Sequence, residues 1–227
     1  MNFHGEKRSN ATHESTTDPE SKLATKGNHQ ASKLSYAAHV LMENRNGLCV
    51  DIELTQASGM AEREGALAML DRQPARGIQP RTLAADAGYD IMQFGEDVRA
   101  RDITPHVAQS RDPRRKRHVV EDRVTRGRPY KASQRARKKV EEIFGWMKTV
   151  GGFRKTRYRG AARTGLWAYV TGAAYNLVRL KEAAARIAAQ PDNPHPSPRP
   201  SPPRRRGRQM AGLFQHPASG GRARSAG

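Results

Sequence analysis

The sequence predicts an α/β protein, and three observations carry that prediction. Two strand-like runs, the second alternating apolar with small or polar residues, flank an Asn46-Gly47 pair. Beyond them, short apolar runs interleave with stretches of helical period in the order β-β-α-β-α-β, followed by two more helices. The composition, 36% hydrophobic and 6% aromatic over 227 residues, supplies a modest core rather than a large one.

The elements follow in order. Residues 1–32 are polar, with His4, His13 and His29 too irregularly spaced for a metal-ligand pattern, and read as a loop or arm. Leu34 to Met42 reads as a strand, and Leu48 to Thr55 as its partner. Between them Asn-Gly favours a tight hairpin, because both residues tolerate positive φ. Ala61 to Leu70 reads as a helix, with Glu62 and Glu64 in the first turn where the dipole favours acids. Pro74, Gly77 and Pro80 close it. Arg81 to Asp86 is a short strand, Ile91 to Arg101 a helix and Ile103 to Ala108 another strand. A basic linker leads to a helix from about Ala132 to Thr149, and an apolar helix covers Arg163 to Ala189. From Pro191 the chain is rich in Pro, Arg, Ser and Gly, a composition that cannot bury enough apolar surface to order itself.

Several function classes drop out. No apolar run approaches the roughly 18 residues of a membrane span, and the first ten residues lack the apolar stretch of a secretory signal. A single cysteine, Cys49, excludes a disulfide framework. Charge points toward a polyanion. Of the formal net charge of +19, residues 111–160 carry +13 and 191–227 carry +6, leaving the remainder neutral. So concentrated a block fits contact with nucleic acid, where each Lys or Arg beside a phosphate releases counterions.

Two acidic positions are candidates for chemistry. Asp86 ends a strand, where side chains of α/β sheets reach the ligand crevice, although an Asp there also simply begins a turn. Taken as one regular helix, residues 137–148 put Val140, Ile143, Phe144 and Met147 on an apolar stripe, with Arg137, Glu141 and Lys148 along one flank. Glu142 then points to solvent. Glu141 reads either as a cation ligand beside a phosphate or as part of a surface ion-pair network.

Asp-x-Gly-Tyr at Asp86 to Tyr89, and Arg-x3-Glu-x6-Lys at Arg137, Glu141 and Lys148 within RARKKVEEIFGWMKT, resemble DDE-type transposases of bacterial insertion sequences. LMENRNGL, GMAEREGAL and AAYNLVRL are similar to that family too, and the likeness runs from about Asn2 to Leu180. The resemblance implies a ribonuclease H-like mixed sheet with flanking helices, in which two Asp and one Glu hold two Mg²⁺ (or Mn²⁺) ions for strand cleavage and joining at transposon ends. It assigns Asp86 and Glu141 as catalytic and metal-binding residues. It makes Arg137 and Lys148, with Lys138, Tyr130 and Trp146, DNA-binding residues; Gln134 stands where the family has a Tyr, and Tyr130 substitutes for it.

Further expectations follow from the resemblance. Residues 33–160 form a partial catalytic domain, 161–190 a helix packed on it, and 191–227 a disordered tail, either native or read-through. The opening strand, its Asp and the N-terminal DNA-binding region are expected to be missing, so that the chain is a C-terminal portion incompetent for catalysis alone. The partners are DNA, as inverted-repeat ends and target, and a second copy of the chain on paired ends; no membrane is involved. The location is cytoplasmic and nucleoid-associated. The alternative is a non-enzymatic DNA-binding or regulatory fragment.

Overall fold

In the computed structural model of the protein, residues 9–25 and 31–188 are described. The tail expected at 191–227, and His4 and His29, lie outside them. The chain divides into two units, 1–189 and 190–227, and every element below belongs to the first.

The hairpin forms where the alternation places it. Strands β2 (Lys33–Met42) and β3 (Cys49–Gln56) pair antiparallel, with Tyr36 opposite Gln56 and Val40 opposite Ile52. Gly47 takes φ 73°, the left-handed geometry that glycine adopts without penalty. The Glu43 carboxylate fastens the turn by accepting from the Arg45 and Asn46 N–H groups at 2.8 and 2.6 Å. Burial pushes that carboxyl up, yet these backbone bonds outweigh it and hold Glu43 below its ordinary range.

The polar segment before the hairpin is more ordered than its composition predicts. It contains β1 (Lys22–Ala24), antiparallel to the start of β2. Side chains hold it in place of a core. The Asn10 amide brackets Leu23, accepting from its N–H at 2.6 Å and donating to its carbonyl at 3.1 Å. Asp18 accepts from the Tyr36 hydroxyl at 2.8 Å and the Gly160 N–H at 3.3 Å.

Helix α1 (Ala61–Arg72) crosses one face of β2–β3. Gly65 permits that approach, since a Cβ there would stand 2.6 Å from His39 Cδ2. His39 is a satisfied core histidine, its Nε2 2.8 Å from Thr55 Oγ1, with burial lowering its pKa. A parallel pair follows, β4 (Thr82–Ala85) and β5 (Thr104–Val107), joined by α2 (Met92–Arg99). After a short α3 (Asp122–Thr125), α4 (Arg128–Arg137) packs on β4 and β5. Helix α5 (Lys139–Thr149) and the 28-residue α6 (Ala161–Ala188) cover the remaining face of the hairpin.

Two clusters form the core. Leu70, Ala85, Phe94, Val98, Ile103 and Val107 fill the space between α1, α2 and the parallel pair. Ile52, Ile143, Met147, Ala168 and Tyr175 join β3 to α5 and α6. At Gly172 a Cβ would stand 2.5 Å from Ile52 Cδ1, so the missing side chain sets how closely α6 lies on the sheet.

The expected helix over 132–149 is broken at Lys138. Its N–H donates to the carbonyls of Arg135 and Ala136, and the Glu141 N–H then donates to the Lys138 carbonyl, so the ladder tightens to three-residue steps. Charge favours two ends at this point. Arg135 and Arg137 close α4, while Glu141 and Glu142 open α5, each matching the dipole it meets.

Candidate functional site

Asp86 leaves β4 with extended backbone and turns into a 3-10 turn over Ala87–Tyr89. Its Oδ1 accepts from the Gly88 N–H at 2.9 Å, which is the turn-starting role, while the side chain stays exposed. Helix α1 brings a second carboxylate to it. A Cβ on Gly88 would stand 3.1 Å from Asp86 Oδ1 and 3.9 Å from Glu62 Oε2, so both acids face one point. The Tyr89 hydroxyl ties the two elements by donating to the Glu62 carbonyl at 3.3 Å. Burial, then Glu62 and Asp86, raise the pKa of Tyr89 and keep its phenol neutral.

Asp90, four residues on, carries the neighbouring basic loop. It is only 2% exposed. Its Oδ2 accepts from the Ser110 N–H at 2.8 Å and from His118 Nδ1 at 2.6 Å, and its Oδ1 accepts from the Val119 N–H at 2.8 Å. The Arg115 guanidinium also donates to the Asp90 carbonyl. One buried carboxylate therefore pins both ends of the loop holding Arg111, Arg114, Arg115, Lys116 and Arg117. Burial pushes its pKa up, but the Ser110 N–H, His118 and the Val119 N–H outweigh that and hold it below the ordinary carboxylate range. Asp86 and these cations thus stand at the same end of β4 and β5.

The family model of the transposase DDE domain matches residues 8–177, which span every strand and reach well into α6. The chain is a member of the transposase DDE domain family. Comparison with curated proteins and with solved structures gives no match. A transposase domain belongs to DNA transposition, and the family uses divalent metal ions and DNA as partner. No helix among the described residues is long and apolar enough to cross a membrane.

Within this transposase domain the motif residues part company. Arg137 ends α4, half-buried, its Nε donating to Gln134 Oε1 at 3.2 Å. Glu141 and Lys148 lie on α5 beyond the break and are exposed. The apolar stripe expected from the sequence persists, with Ile143 and Met147 buried and Val140 packed against them. Glu142 faces outward as expected and pairs with Arg179 at 3.5 Å. Lys138 is exposed at the junction.

Three other positions serve packing. The Tyr130 hydroxyl donates to the Val107 carbonyl at 3.1 Å, and its ring meets that of His106 at 5.7 Å. Trp146 stacks edgewise on Tyr175, also at 5.7 Å. Gln134, in the Tyr position of the family motif, bridges β4 and β5 by donating to the carbonyls of Ala85 and His106.

As metal ligands these residues do not make a closed set. Glu141 does not line the cavity that holds Asp86 and Glu62, and among the described residues no group of three His, Cys, Asp or Glu converges to hold an ion. Sequence reasoning missed both Glu62 and Asp90 as site residues. Glu62 stands in GMAEREGAL, where its first-turn position suggested only a dipole partner.

Proposed function

We propose that this domain handles transposon inverted-repeat ends and target DNA, with the cations of the 110–119 loop and of α4 and α5 lying against phosphates. The observation that carries the reading is the family match over a segment whose densest positive charge is anchored, through Asp90, beside Asp86. Arg137, Lys138 and Lys148 are the proposed phosphate contacts on the helices, with Tyr130 and Trp146 supporting them from the core. Asp86 and Glu141 are the proposed ligands of a Mg²⁺ or Mn²⁺ pair for strand cleavage and joining, in a ribonuclease H-like mixed sheet of which β3–β2 and β4–β5 are two halves. A homodimer on paired ends fits the same reading.

A second reading is favoured by the open ligand set. With Glu141 outside the cavity that holds Asp86 and Glu62, and no three such ligands converging among the described residues, the chain alone binds DNA without cutting it and acts as a DNA-binding or regulatory protein. Incubation with supercoiled plasmid and MgCl₂ or MnCl₂ tests both parts. The expected result is retarded plasmid that stays supercoiled. Absence of retardation overturns the DNA reading. Nicking that disappears in Asp86→Asn overturns the incompetence and supports Asp86 as a catalytic residue.

A further inference from the structure

The loop joining α5 to α6 interleaves cations with aromatic rings. Residues 153–159 read FRKTRYR, and Arg154, Lys155, Arg157 and Arg159 are all exposed. Among the described residues none of these four pairs with a carboxylate. Asp18 and Glu20, which reach the end of the loop, are engaged there by the Gly160 and Ala161 N–H groups at 3.3 and 2.6 Å.

The rings are held in place around Trp167, on the second turn of α6. Phe153 lies against its indole, with ring centroids 4.4 Å apart and planes inclined by 32°. Tyr158 meets the same indole edge-on, at 5.8 Å and 68°. Such a contact covers at most one face of either ring, and Tyr158 stays 47% exposed. The main chain fixes both ends of the loop. The Phe153 N–H donates to the Met147 carbonyl at 2.8 Å, and the hydroxyl of the buried Thr164 donates to the Tyr158 carbonyl at 3.4 Å. Gly152 turns the chain at φ 69°. A Cβ there would stand 3.6 Å from Arg157 Nη2 and 3.8 Å from Trp167 Cζ2, so a guanidinium sits beside the indole.

We propose that this loop is a binding site for an unpaired DNA strand, with a base stacked on Tyr158 and the adjoining phosphates on Arg154, Lys155, Arg157 and Arg159. Packing alone accounts for three rings in contact but not for the charge around them. Four unpaired cations within six residues repel one another, and a polyanion relieves that repulsion. The half-exposed ring selects the form of the polyanion. In a duplex the base faces are already stacked on one another, whereas an unpaired strand can turn one onto a protruding aromatic side chain. Because the loop is fixed at both ends, little ordering is lost when the strand binds. The proposal rests on the DNA reading above and adds the form of DNA that this loop takes.

Fluorescence anisotropy with the full chain compares a thymidine oligomer of about ten nucleotides, an abasic strand of the same length and a duplex. The two single strands carry the same phosphates, so electrostatic contact binds both alike and stacking separates them. The thymidine strand is expected to bind at least about fivefold more tightly than the abasic one, the low end of what one stacked base contributes. Tyr158→Leu keeps an apolar side chain against Trp167 but removes the π face, and is expected to abolish that preference. Tyr158→Phe is expected to retain it. Equal affinity for the thymidine and abasic strands, or a preference that survives Tyr158→Leu, overturns the proposal and leaves the DNA reading standing where the duplex binds. Failure to bind the duplex, with the thymidine preference intact, overturns the reading of transposon ends and supports the unpaired-strand site.

Discussion

Replacing Asp90 by Ala removes the acceptor that holds the basic loop at both ends, and the size of the effect follows from its partners. Three donors converge on the carboxylate, at 2.8, 2.6 and 2.8 Å, in a site where the side chain is 1% exposed. A hydrogen bond to a charged group contributes about 1.5–3 kcal/mol net, and a buried N–H left without a partner costs about 1–3 kcal/mol. Ser110 and its neighbours regain water as the loop loosens, while Val119 is 3% exposed and stays inside, so the lower part of the combined range applies. The expected loss is about 3 kcal/mol, or roughly 1.5 M in urea midpoint at a slope near 2 kcal/mol per M. Urea unfolding followed by circular dichroism reads it. The effect has a pH signature with a definite sign. The folded pKa of Asp90 lies below its unfolded value, so its stabilisation is present above about pH 4 and disappears as pH falls through the folded pKa. The difference between wild type and Asp90→Ala therefore shrinks in acid. A change under about 0.5 kcal/mol at neutral pH, within the ordinary range of surface substitutions, would refute the reasoning.

Other outcomes follow from the same structure. Converting Arg114, Arg115, Lys116 and Arg117 together to Gln reduces the slope of log affinity for duplex DNA against log salt by up to about 3.6, at about 0.9 for each phosphate no longer neutralised; anisotropy titrations measure this. Gly172→Val places a side chain against Ile52, where even a Cβ would stand at 2.5 Å, and destabilises by about 1–3 kcal/mol in urea unfolding. Asp86→Asn and Glu141→Gln alter exposed side chains and leave the unfolding free energy within about 0.5 kcal/mol of wild type, while Mn²⁺ binding followed by electron paramagnetic resonance weakens in both. Loss of fold in either variant, or unchanged Mn²⁺ binding in both, contradicts their proposed role.

The hairpin was legible because its information is local. Alternation, Asn46-Gly47 and the left-handed Gly47 concern neighbouring residues. Strand β1 was not, because a three-residue strand in a polar segment is held by Asn10 and Asp18, whose partners lie 13 and 18 residues away. The break at Lys138 escaped because the apolar stripe of Val140, Ile143 and Met147 continues the period past it, while the break appears only in carbonyl bonding. Arg137 and Glu141 consequently share a motif in sequence but not a helix in space. Asp86 was legible as the end of a strand; its neighbour Glu62, 24 residues earlier, arrives through the packing of α1 on the parallel pair. Asp90 carries no local mark, since the donors to its carboxylate lie 20 to 29 residues downstream.

Binding of the full chain to a labelled DNA duplex across a salt series tests the central claim most directly. A positive face that lies on phosphates predicts a straight log–log plot with a slope of about −3.6 or steeper, since at least the four cations from Arg114 to Arg117 release counterions. No measurable binding at low salt, or an affinity indifferent to salt, would contradict it.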